Sequence, residues 1–444
     1  MKQKISFGQI IVLGFALFAM FFGAGNLILP PALGTVSGSN WFYGFLMYIL
    51  ADAGLSVIAL LAFVKAHGGF AHAISRQLTP RTAFLLNFLN ALCIGPLIAI
   101  PRTAATTFDI ALRPLLKMPA PWVSWAFGAV YFGLVALLCL RPGKVVDIIG
   151  KLLSPLMFVL LLVLIGLGIA HPLGEIVPAA TLSGALSDGL RAGYQTMDML
   201  GAVLLGVIAL LSVQESGVSD TKRQMQLVGF GGLVSAVGLF VVYCGLAYLG
   251  ATVSGDTAMM ALAKTDRPTL LIMITYYLAG PYGRLLLGVI VAAACLTTAI
   301  GLTSACSQSF TDITGGRLPY RPTMLVVIVV SFVLSNLGTE TILGIAAPVL
   351  NVIFPIYIML VFLSFLPERI REHTYAPPFG AALALIVTVV TEIDLMFPSV
   401  PLHADRLPLA DYGLGWLLPA VAASIVGGVI GTFFPRKQKT DAAE

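Results

Sequence analysis

The chain has 444 residues, of which 58% are hydrophobic and only 10% charged. Soluble domains carry about 25% charged residues, so the composition excludes a soluble enzyme or a nucleic-acid module and indicates an all-α polytopic membrane protein with the lipid bilayer as its solvent. The net charge of +5 comes from basic loops between apolar runs; it sets orientation and argues for neither nucleic acid nor an acidic partner.

Runs of about 20 predominantly apolar residues give twelve candidate spans: Phe7 to Leu33, Trp41 to Phe63, Thr82 to Leu112, Trp122 to Leu140, Val145 to Ala170, Leu190 to Val213, Leu227 to Val253, Leu285 to Phe310, Thr323 to Leu337, Ile342 to Leu366, Pro378 to Ile393 and Tyr412 to Phe434. Almost nothing is left for a soluble domain. The short basic start runs directly into the first apolar run with no cleavage signal, which predicts an uncleaved first helix.

With the N-terminus inside, 17 of the 25 Lys and Arg fall in inside loops, from Lys2 and Lys4 through Arg76, Arg317 and Arg369 to Lys439. This is the distribution expected of a cytoplasmic face. The basic loops around Arg317 and Arg369 must share that face, so residues 323–366 split into two spans and both termini lie inside.

The first span contains FFGAGNLILPP, residues 21–31. Gly23 and Gly25 let the chain open there. The helix piece starting near Asn26 then points its N-terminal amides at the gap, suited to a carboxylate, while the carbonyls ending the first piece, near Ala19 and Phe22, suit a cation. The plain alternative is a packing surface at Gly-x-Gly, with Pro30 and Pro31 ending the span. Five spans later YQTMDMLGAV, residues 194–203, is interrupted in the same way. Five is odd, so the second half enters the membrane from the opposite side. Paired interruptions in two halves of opposite topology are the sequence mark of an inverted-repeat secondary transporter with its site at the breaks. The repeats are residues 1–171 and 172–367, with two further spans in 368–435 and a polar tail in 436–444.

The third and eighth spans also correspond, each dense in small hydroxyl residues: PRTAATT, 101–107, and LTTAIGLTSACSQS, 296–309. Hydroxyls and freed carbonyls are oxygen ligands for a hard cation, though Ser and Thr also serve close helix packing. Asp52, Arg102 and Asp198 are the deepest charges, and intramembrane charges are functional candidates by default. Arg102 would neutralise Asp52 or Asp198 as an ion pair, and one of the carboxylates would serve proton coupling. Residues 256–283 read as too interrupted to span and predict an amphipathic lid across the outer face. Cys93, Cys139, Cys244, Cys295 and Cys306 lie in apolar runs without C-x-x-C spacing, and all five histidines lie in loops, so no disulfide, zinc or haem chemistry is indicated.

LFAMFFGAGNLILPPALG (17–34), GPLIAIPRTAATTFD (95–109), GYQTMDMLGA (193–202) and ACLTTAIGLTSACSQSF (294–310) resemble the branched-chain amino acid:cation symporters of the BrnQ type. The resemblance implies a bacterial inner-membrane carrier that imports leucine, isoleucine and valine with sodium, built on the LeuT-type five-plus-five inverted repeat, without cofactor or obligatory protein partner. It further implies a sodium site made of the carbonyls of Ala19, Phe22 and Ala294 and the hydroxyls of Thr297 and Thr298. The substrate would meet Gly23, Ala24, Gly25 and Asn26 from the first break and Thr196, Met197 and Asp198 from the second. Asp198 departs from the small neutral residue the LeuT pattern has there, which leaves protons open as the coupling ion. Independently of the family, an anion site beside a cation site fits a zwitterion, and the Ala, Met, Phe, Leu and Ile around them favour an aliphatic side chain. A channel lacks support for want of a repeated pore motif, and a membrane-embedded enzyme for want of a catalytic constellation.

Overall fold

The computed structural model describes residues 6–65, 74, 76–116, 120–140, 153–397 and 402–436. The basic start, the polar tail beyond Arg436, His67 and His72, Lys117, and the loop with Arg141, Lys144, Asp147 and Lys151 lie outside the described residues.

The first span is two helices, α1 (Phe7–Phe21) and α2 (Ala24–Ser37), bent by 70° at residues 22–23. Then follow α3 (Trp41–Phe63), α4 (Pro80–Leu115), α5 (Pro121–Cys139) and α6 (Ser154–Ala170). The second half begins with α7 (Leu182–Thr196) and α8 (Asp198–Glu215), continues with α9 (Thr221–Ala251), the short α10 (Thr257–Thr265) and the long α11 (Arg267–Ile313), and reaches α12 (Tyr320–Ser335) and α13 (Thr339–Leu363). The chain closes with α14 (Glu368–His373), α15 (Ala376–Met396) and α16 (Leu417–Phe433). Among the described residues, eight helical stretches, α7 with α8 counted as one, are long and apolar enough to cross a bilayer, nine with the bent pair, and α6, α12 and α16 are shorter apolar helices. This is an integral membrane protein.

Burial separates the centre from the rim. The apolar window of α7 and α8 is 78% buried, against 28% for α5 and 22% for α15, so the interrupted α7–α8 stretch lies in the core and α5 and α15 at the rim. That follows from the backbone: helix interruptions free amides and carbonyls that hydrocarbon cannot satisfy. Close helix contact depends on glycine. At Gly34 a β-carbon would lie 1.9 Å from the Ala247 carbonyl oxygen, and at Gly250 1.9 Å from that of Pro31. α2 and α9 therefore cross backbone to backbone, as small residues permit in membranes.

Pro30 and Pro31 do not end the span, as their side-by-side placement suggests; α2 runs through both and stops at Gly38, whose φ is +54°. The Thr35 hydroxyl one turn later donates to the Pro31 and Gly250 carbonyls at 3.0 Å each and ties α2 to α9. The segment read as a lid forms two helices, α10 and the first part of α11, with a break at Ala279 and Gly280 before Pro281, and it buries Leu270, Leu271, Ile274 and Thr275.

Loop contacts sort the chain ends into two faces. Lys65 reaches the Ser364 and Phe365 carbonyls, Arg76 pairs with Glu368 and with the buried Glu372 at 2.6 Å, and Arg436 donates to the Gln77 carbonyl. On the other face Gly38 bridges Pro178, and Asn40 donates to the Ala180 carbonyl. Lys65, Arg76, Arg371 and Arg436 thus gather on one side.

Candidate functional site

α1 ends because the Phe22 amide makes the last helical bond, to Phe18 at 2.7 Å, after which the backbone turns extended at Gly23. The next carbonyls have no helical donor. Threonines of α11 take them: Thr297 donates to the Ala19 carbonyl at 3.0 Å and to Ala294 at 2.9 Å, and Thr298 to Ala19 at 3.2 Å and Met20 at 3.1 Å. Four of the five residues expected at the cation site, Ala19, Ala294, Thr297 and Thr298, therefore converge. The carbonyl of Met20, rather than that of Phe22, receives the second bond of Thr298. Phe22 instead places its ring between Phe18 and Tyr243, at centroid distances of 5.6 and 5.9 Å. Gly23 faces the same threonine, since a β-carbon there would lie 3.0 Å from the Thr298 hydroxyl.

The other side of the break opens α2. Its first helical bond runs from the Leu27 amide to the Gly23 carbonyl at 3.3 Å, so the amides of Ala24, Gly25 and Asn26 stand outside the ladder. Asn26, 1% exposed, bends its side-chain oxygen back to the Gly23 amide at 3.4 Å. Its amide nitrogen points across the molecule, 2.7 Å from Asp198, 3.4 Å from Asp52 and against the Tyr243 hydroxyl.

The second break is one residue, Met197, at φ 70° and ψ 9°. It ends α7 and makes Asp198 the first residue of α8. Thr196 donates to the Gly193 carbonyl at 2.6 Å and to Asp52 at 2.7 Å. Asp52 itself sits on a π-helical turn, Leu50–Gly54; such turns inside α-helices widen the spiral and recur at functional sites. Asp52 and Asp198 are thus bridged by one amide, 0% and 7% exposed. Among the described residues no Lys, Arg or His nitrogen lies within 4.0 Å of either.

The expected ion pair of Arg102 is not formed. Its guanidinium, 4% exposed, donates to the carbonyls of Gln195 at 3.0 Å and Thr196 at 3.3 Å, the freed end of α7. Sequence reasoning placed neither Tyr243 nor Tyr48 here, although Tyr48 precedes Asp52 by one helical turn and packs its ring against that of Tyr243 at 5.2 Å. A hydroxyl-bearing ring in an apolar run was the available signal. Ala24, Asn26, Arg102, Met197, Asp198 and Thr298 all line one central cavity of about 20 Å³, room for roughly one water molecule.

Residues 6–434 match the family model described as branched-chain amino acid transport protein. The chain belongs to that family. Among curated relatives of this branched-chain amino acid transport protein family, the branched-chain amino acid permease BrnQ of Bacillus subtilis is 32% identical over 98% of this chain and 99% of its own. Among solved structures, Mhp1, a nucleobase-cation-symport-1 family transporter, superposes with a TM-score of 0.61 at 14% identity, covering 97% of this chain and 94% of its own. A sodium-coupled sialic acid symporter does so with a TM-score of 0.61 at 16% identity, covering 97% and 91%. These two likenesses show the fold alone: the family member shares the broken-helix transporter architecture.

Proposed function

We propose that this protein is a secondary transporter that imports leucine, isoleucine and valine across the bacterial inner membrane with sodium, by alternating access. The chain then has twelve spans with both termini cytoplasmic, the first five and next five forming inverted repeats. The observation that carries the reading is the meeting of Thr297 and Thr298 with the last carbonyls of α1, beside the amides that begin α2. Sodium would take the hydroxyl lone pairs and the same carbonyls together, tying α11 to α1, while the substrate carboxylate docks at the Ala24 and Gly25 amides. A cavity of about 20 Å³ is too small for a leucine side chain, so loading requires the bundle to separate, as alternating access demands. One methylene changes affinity by only about 1 to 3 kcal/mol, so all three aliphatic substrates pass.

Uptake of labelled leucine into proteoliposomes under a sodium gradient tests this. Thr297→Ala with Thr298→Ala abolishes sodium stimulation; unchanged sodium dependence in that variant overturns the ion assignment.

A second reading, proton coupling through Asp52 and Asp198, is favoured by their shared contact with Asn26. Two buried carboxylates so close require a compensating positive charge, which a proton supplies. Leucine uptake driven by a pH gradient in sodium-free buffer, and lost in Asp198→Asn, would establish it. Saturable counterflow separates either carrier from a channel or an enzyme.

A further inference from the structure

We propose that Arg102 is the cationic partner of the substrate carboxylate, and that Arg102 and Asp198 form the two poles of a receptor for a zwitterion. The inference rests on the amino-acid-carrier reading and assigns a residue that reading leaves without a role.

Three observations converge. First, the guanidinium packs on the opening turn of α2: a β-carbon at Gly25 would lie 2.9 Å from Nη2 and 3.3 Å from Cζ of Arg102. The amides of Ala24, Gly25 and Asn26 are free of helical acceptors at that same turn. A cation against the positive end of a 14-residue helix is a repulsive arrangement, relieved when an anion binds between them. Second, an arginine offers five N–H donors, and those of Arg102 meet two carbonyls, Gln195 and Thr196. Its Nε is buried and has no partner, a costly state in a protein interior. The site has donors to spare and lacks an acceptor.

Third, Arg102 and Asp198 line one cavity without pairing; among the described residues no carboxylate oxygen lies within 4.0 Å of the guanidinium. Opposite buried charges that share a cavity and remain apart are arranged for a ligand that carries both signs. An α-amino acid does so: its carboxylate accepts from Arg102 Nε and the Ala24 and Gly25 amides, while its ammonium donates to Asp198. The planar fork of arginine matches a carboxylate better than lysine would.

The arrangement also explains why Gly25 is a glycine. Any side chain there would push the guanidinium from the helix end.

The test separates carboxylate recognition from the capping of α7 by the same guanidinium. Purified protein in proteoliposomes is assayed for displacement of labelled leucine by unlabelled leucine and by leucinol, which keeps the ammonium and isobutyl groups and replaces the carboxylate with a hydroxymethyl. Wild type prefers leucine strongly. Arg102→Gln weakens leucine about 10- to 100-fold, as loss of a charged hydrogen-bond partner does, and leaves leucinol within about 2-fold, so the preference collapses. Gly25→Ala, which keeps the guanidinium and its charge but crowds it at the opening turn of α2, reduces the preference in the same direction; it serves if Arg102→Gln does not fold. An undiminished preference for leucine in either folded variant overturns the assignment, as does equal loss of both ligands. Failure of wild type to bind leucine overturns the carrier reading itself, a distinguishable result.

Discussion

The two helix breaks solve one problem in different ways. At the first, two residues separate α1 from α2, Gly23 is extended at φ −110°, and the helices diverge by 70°. At the second, a single residue, Met197 at φ 70°, interrupts a stretch that otherwise continues as one apolar span of 34 residues. The wide break exposes its carbonyls to neutral hydroxyls, those of Thr297 and Thr298, which can release them to a cation. The narrow break has its carbonyls held by the Arg102 guanidinium and by the Thr196 hydroxyl on Gly193, partners that a cation would not displace. Under the proposed sodium coupling, ion binding belongs to the first break and the second is left to charged groups. They meet where Asn26 lies 2.7 Å from Asp198.

Cutting that link has the largest expected effect. Asn26→Ala removes the amide shared by Asp52, Asp198 and Tyr243, and each buried acceptor left without a donor costs about 1 to 3 kcal/mol. Leucine uptake then falls roughly 30-fold or more, with a lowered melting temperature in detergent. Uptake within a factor of two of wild type would mean that the breaks act independently. The next effect is confined to the wide break. Gly23→Ala is compatible with the extended backbone but sets a methyl 3.0 Å from the Thr298 hydroxyl and 3.1 Å from its methyl. Overpacking of about 1 kcal/mol or more raises the sodium concentration for half-maximal uptake roughly 5-fold or more, with the melting temperature lowered by no more than a few degrees. A normal sodium dependence would break the assignment of the ion to this end.

How far the sequence led depends on what each feature requires. Both breaks were legible, because the two glycines flanking Ala24 in GAGN and the polar run in YQTMDM are local departures from a spanning helix. The pairing of Thr297 and Thr298 with Ala19 was legible only through the family resemblance; spacing alone could not choose Met20 over Phe22, since that choice depends on the rotation of α11 against α1. Asp52, Asp198 and Arg102 stood out as intramembrane charges, yet the expected ion pair was replaced by carbonyl capping. The fate of α7's carbonyls is a tertiary fact. Tyr243 joins Asn26 across 217 residues of chain, and the π-helical turn at Asp52 has no local sequence mark. The prolines misled because an interior proline stops an isolated helix, whereas here α2 is held through both by backbone-to-backbone packing on α9 at Gly34 and Gly250.

The smallest effect on sodium dependence belongs to the narrow break. Left-handed backbone costs an L-residue about 1 to 2 kcal/mol, which glycine avoids, and a β-branched residue suffers more at positive φ than methionine does. Met197→Val therefore lowers the melting temperature by a few degrees. Met197→Gly relieves the strain but deletes a side chain that is 2% exposed, a loss of about 2 to 5 kcal/mol, so it lowers the melting temperature further. Neither substitution touches the threonine–carbonyl cluster, so half-saturation by sodium stays within about 2-fold in both. The opposite pattern, a sodium shift in Met197→Val at constant melting temperature, would show that the narrow break governs the ion site. The division of labour between the two interruptions would then give way to a single coupled element running from Thr298 through Asn26 to Asp198.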